Sequence, residues 1–136
     1  MIPLAKVGFV LHAIIETAAA VSFIFNPEKQ LPGCTPAARL ILRQYGGLLL
    51  ASSLVCVAVL LDETGSDSTT RLLAFALGTY HLLPCYRAYT RLERDVQPNG
   101  RKAPEKSHLG GPWVHLAVHL LCLFLFALPV VAFRNA

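Results

Sequence analysis

From Val7 to Phe25 the chain presents an apolar run in which Glu16 is the sole charge, with His12 one helical turn before it. This placement constrains the fold more than any other feature. A carboxylate there must enter the hydrocarbon of a membrane or the interior of a helical bundle. Either position costs several kcal/mol unless a partner or a proton offsets the charge. Ionisable groups inside membrane spans are by default functional-site candidates.

Three further runs follow at Leu40–Leu61, Leu72–Tyr89 and Trp113–Phe133. Each is about as long as the ~20 residues that cross a bilayer as a helix. Together they raise the hydrophobic content to 54% and hold charge to 15%, where a soluble domain carries about a quarter charged residues. The expected fold is all-α: one domain over residues 1–136, an integral membrane four-helix bundle with spans near 7–25, 40–61, 72–89 and 113–133. The first run is long for a signal peptide and interrupted by His12 and Glu16, so a retained span is expected, with a signal peptide cleaved near Ala18–Ala20 as the minor alternative.

Lys and Arg set the expected orientation. Lys29, Arg39, Arg43, Arg87, Arg91, Arg94, Arg101, Lys102 and Lys106 fall in the first and third connections or the adjoining helix ends, whereas Lys6, Arg71 and Arg134 lie opposite. The positive-inside rule puts the first group in the cytosol and both termini on the other side, with the endoplasmic reticulum as default membrane. The net charge of +4 is then mostly topology. It suits the anionic headgroups of membrane lipids, and no motif supports nucleic-acid binding. Cys34, Cys56, Cys85 and Cys122 lack C-x-x-C spacing and read as small hydrophobes.

Helix punctuation is clear. Thr35 before Pro36 reads as an N-cap with proline in the first turn. The short connection Asp62–Thr70 predicts antiparallel second and third helices, with Ser68 or Thr69 as cap. Pro84 should kink the third helix and withhold the donor that the Tyr80 carbonyl would otherwise receive. Asp95–Gly111 reads as a flexible loop, and Gly111–Pro112 opens the fourth helix.

At ~1.5 Å per residue, Glu16 falls about 15 Å into a ~30 Å hydrocarbon core. His81, Ser52 and Ser53 reach a similar depth, and His119 stops somewhat short. The predicted inward stripes are Gly8, His12, Glu16, Ala19 and Phe23; then Tyr45, Leu49, Ser52 and Cys56; then Ala74, Gly78, His81 and Cys85; then His115, His119, Cys122 and Phe126. Such a layer suits acid–base catalysis on a lipophilic small molecule, of the kind that drives isomerisation or cyclisation. Glu16 is then the principal acid or base, His12, His81 and His119 share its proton, and Ser52, Tyr80, His115 and Arg87 contact substrate.

Other chemistries compete. His12 with Glu16, and His115 with His119, have the four-residue spacing of a metal or haem site, but the acid–base reading ranks above it and no cofactor is expected. Glu16 also suits a proton-coupled transporter, alternating between a proton and a cationic substrate. The bland readings are a Glu–His tie between helices in a non-catalytic subunit or scaffold, and Ser52 and Ser53 bonding to their own helix carbonyls. Arg87, Arg91 and Arg94 share a face suited to headgroups or to a phosphate on a substrate. A homodimer that completes a cavity is compatible with this length.

The segments GFVLHAIIET, RQYGGLLLASS, ALGTYHLLPCYRA and HLAVHLLCLFL resemble small fungal-type four-span membrane proteins of the DoxX-like group. The likeness covers most of the chain and implies a four-helix membrane bundle, without an assured activity. By analogy with other small fungal membrane proteins, terpenoid or polyketide biosynthesis is the expected setting. The lone glutamate in the first span also resembles small multidrug-resistance transporters, from which the His-rich helices and long third connection depart. Glutathione-using four-span enzymes require an arginine- and asparagine-containing pattern that RQYGG does not reproduce.

Overall fold

The computed structural model describes residues 3–62, 67–96 and 111–132. It contains six helices among them: α1 (Leu4–Phe25), α2 (Pro27–Gln30), α3 (Pro36–Leu61), α4 (Asp67–Tyr80), α5 (Leu82–Val96) and α6 (Gly111–Ala132). There is no strand among the described residues. The predicted loop between Asp95 and Gly111 falls mostly outside them, as do residues 63–66 of the predicted connection Asp62–Thr70 and the predicted end of the fourth span at Phe133.

Two compact units divide the chain, one reaching to Thr70 and the other starting at Arg71. In the first, α1 and α3 form an antiparallel hairpin. Lys6 Nζ donates to the Asp62 carbonyl at 3.0 Å, closing its open end. Near the turn, Phe23 and Tyr45 meet edge to face with centroids 5.0 Å apart. Beside them Gly46 lets the helices approach closely: a Cβ there would lie 2.8 Å from Ile24 Cγ1, 2.9 Å from Phe23 Cβ and 3.1 Å from the Ala20 carbonyl oxygen. Glycine is therefore required by contact, as at other close-packed membrane-helix interfaces. Thr35 caps α3 as expected, its hydroxyl accepting from the Ala38 N–H at 3.2 Å with Pro36 in the first turn.

The second unit departs from expectation. The run Leu72–Tyr89 is not one helix, because α4 ends at Tyr80 and α5 begins at Leu82, with His81 in a turn between them. Pro84 explains the position. Its missing N–H deprives the Tyr80 carbonyl of an α-helical donor, and its ring crowds that carbonyl. His81 N–H bonds back to Gly78 at 3.0 Å, one residue short of α-helical spacing, and the Cys85 N–H resumes the ladder on the His81 carbonyl at 3.1 Å. Ser68 and Thr69 lie within the first turn of α4 rather than capping it. Gly78 packs on α6, where an added Cβ would stand 3.2 Å from Phe126 Cβ. Gly111, at φ 83, opens α6 in a backbone conformation natural to glycine.

Three helices, α1, α3 and α6, are long and apolar enough to cross a membrane. Only 33%, 28% and 22% of their respective apolar windows are buried within the protein, so most of their surface needs an apolar solvent. Exposed Ile14, Val21, Leu48, Leu54, Leu120 and Phe124 are what a bilayer would cover. At 14 and 15 residues, α4 and α5 are each too short to cross alone, spanning about 21–23 Å.

Candidate functional site

Polar groups concentrate near the middle of each long helix. By helical rise, Glu16 stands about 2 Å and His12 about 4 Å from the midpoint of α1, Ser52 about 5 Å from that of α3, and His119 about 4 Å from that of α6. His12, Glu16, Ser53, His81 and His119 are all buried.

In the first unit, His12 Nε2 lies 3.0 Å from Ser52 Oγ. Ser52 spends its only hydrogen on the Leu49 carbonyl, at 2.8 Å. Its oxygen is thus the acceptor, and His12 must donate through Nε2–H. This fixes the tautomer of the neutral ring, with Nδ1 as the basic nitrogen. Ser53 behaves as expected of a hydroxyl in a membrane helix, donating to the same Leu49 carbonyl at 3.0 Å. Glu16 follows His12 by one turn on the same buried face.

In the second unit, the turn between α4 and α5 holds His81 with Nδ1 2.8 Å from His119 Nδ1 on α6. Two facing nitrogens at that distance require one to carry hydrogen and the other to present its lone pair. The rings are therefore opposite tautomers sharing one proton. A further proton taken by the pair leaves this bond intact, whereas two more would set N–H against N–H.

Aromatic rings fix its orientation. Phe126 stacks on His81 with centroids 5.8 Å apart and planes at 24°, and Tyr80 meets His81 edge-on at 5.1 Å. His115 reaches His119 at 4.4 Å in a T-shaped contact.

The expected site residues thus fall in both units: His12, Glu16 and Ser52 in the first, and Tyr80, His81, Arg87, His115 and His119 in the second. Two placements differ from the predicted stripes. His115 is exposed rather than inward, since α6 buries the His119, Cys122, Phe126 and Pro129 face. Ala19 yields its place on α1 to Ala20, and Phe9 joins the core. Arg87 is exposed on α5. Sequence reasoning missed the direct His81–His119 contact, for which the common signal was the coincidence of a proline-broken helix and a histidine just before the break.

Comparison with protein-family models, curated proteins and solved structures finds no match at a significant level.

Proposed function

We propose that this chain is a four-span membrane enzyme that moves protons on a lipophilic small molecule, as an isomerase or cyclase does. The observation that carries the reading is the buried His81–His119 pair on either side of a helix break. Discontinuous helices at membrane depth are tolerated where they are enclosed by protein or line a cavity, and α4 with α5 would supply the fourth crossing in two halves. In the reaction, one buried acid–base group accepts a proton from a substrate carbon while a second returns one elsewhere. The mass of the substrate is unchanged. Glu16 and His12, with Ser52 orienting the imidazole, constitute the other acid–base group of the chain, and Glu16 is the principal acid or base. Tyr80, His115 and Arg87 would contact the substrate.

The test compares lipophilic metabolites of the native host carrying wild-type protein, Glu16→Gln or His119→Gln at matched protein levels. A precursor should accumulate as a product of equal mass disappears, in both variants. Unchanged profiles in both would overturn the proposal. The helix break also favours a second reading, because transporters build substrate sites from broken helices. That reading predicts altered accumulation of a cationic compound in Glu16→Gln cells with no change in any product.

A further inference from the structure

The turn of the first hairpin carries a cleft of about 240 Å³, formed by residues 25–29 with Arg39 and Arg43 of α3. Its charged lining is Lys29, Arg39 and Arg43 against a single carboxylate, Glu28. Glu28 is already engaged in an ion pair with the Arg39 Nη2. On the same edge of that guanidinium, Arg39 Nε is buried and has no hydrogen-bond acceptor among the described residues. A buried guanidinium N–H without an acceptor is costly. Lys29 and Arg43 are exposed at the same cleft, so three cations line it against one carboxylate.

We propose that this cleft binds a phosphate group, held by the Arg39 guanidinium with Lys29 and Arg43 as flanking charges. Guanidinium edges match phosphate oxygens in charge and geometry. The volume lies below the ~300 Å³ at which pockets begin to enclose drug-sized molecules, so it takes a headgroup and not a whole amphiphile. Phe25, 72% exposed at the cleft and the last residue of the apolar α1, offers an apolar exit for a chain attached to that phosphate. The chemistry is shared by an anionic phospholipid and by free phosphate. It is independent of the histidine pair and of the reaction proposed for it.

The full chain in a neutral sugar detergent is titrated with dihexanoyl phosphatidate, and with inorganic phosphate as competitor. Binding should be saturable and should weaken by about tenfold or more in Arg39→Gln and in Arg43→Gln. Lys102→Gln, an equal loss of charge elsewhere in the sequence, should leave it unchanged. Glu28→Gln should tighten it, because the carboxylate competes with the ligand for Arg39. Competition by inorganic phosphate at comparable concentration identifies the bare anion as sufficient. Phosphatidate binding that phosphate does not displace identifies the lipid-borne group. Helicity of each variant is checked by circular dichroism, and Arg43, exposed and not part of the Arg39–Glu28 ion pair, guards against a folding artefact at Arg39. Equal affinity in all variants, or an equal loss in Lys102→Gln, would overturn the proposal in favour of diffuse attraction.

Discussion

Ser52 and Ser53 are neighbours of one type with different duties. Both return a hydrogen bond to Leu49, but Ser52 also meets the His12 ring. Ser52→Ala removes the acceptor of the His12 Nε2–H and should destabilise the hairpin by about 1 kcal/mol, in the range measured for hydrogen bonds between membrane helices. Ser53→Ala deletes only a bond within its own helix and should cost less than about 0.5 kcal/mol. Unfolding of the two variants by titration with a denaturing detergent separates them, and equal shifts would show that the His12 contact contributes nothing. The burial of Glu16, His12, His81 and His119 was legible in the sequence, because an ionisable side chain in an apolar run has few tolerable positions. Their tautomers were not. Those depend on which lone pair meets which hydrogen across two helices, and spacing along one helix carries no such information.

At the scale of elements, two adjacent glycines make the sharpest contrast. Gly46 faces α1 at contact distance, whereas a Cβ at Gly47 would meet nothing within 4 Å. Gly46→Ala must push against the Ala20 carbonyl and Phe23, and overpacking of this kind costs about 1–3 kcal/mol. Gly47→Ala should instead stabilise by up to about 1 kcal/mol through helix propensity. The same denaturation assay, run on both, should show shifts of opposite sign. The break in the third run gives a second prediction. Pro84→Ala restores a donor for the Tyr80 carbonyl and should join α4 to α5, slowing amide exchange around His81. It should also weaken the proposed proton transfer by moving the His81 ring off His119. Sequence placed the kink at Pro84 and named Tyr80 as the affected carbonyl. The full interruption at His81 escaped it, since a proline in a long apolar run is equally compatible with a bent continuous helix.

For the molecule as a whole, the apolar surface of α1, α3 and α6 was evident from composition and run length. Whether the third run crosses is a matter of α4 and α5 acting together. Four crossings put the two ends of the chain on one face of the membrane, and three put them on opposite faces. Epitope tags fused at each end should therefore be protected together, or digested together, when sealed vesicles are treated with protease. Protection of one tag and loss of the other would remove the fourth crossing. Within such vesicles Cys34, part-exposed near the hairpin turn, should react with an aqueous maleimide far faster than buried Cys56 and Cys122.

The hairpin of α1 and α3 has a consequence for how the protein is made. Its ties, from the Lys6–Asp62 bond at the open end to the Gly46 contact near the turn, all lie within residues already synthesised once Asp62 has left the ribosome. Synthesis at ~5–20 residues per second leaves several seconds before the rest of the chain follows, whereas helix docking can finish in milliseconds. The first half can therefore zip together in the membrane while the second is still being translated. A lesion at Gly46 would then be met by the quality-control machinery as a half-built chain, and would lower the amount of protein before it touched any chemistry.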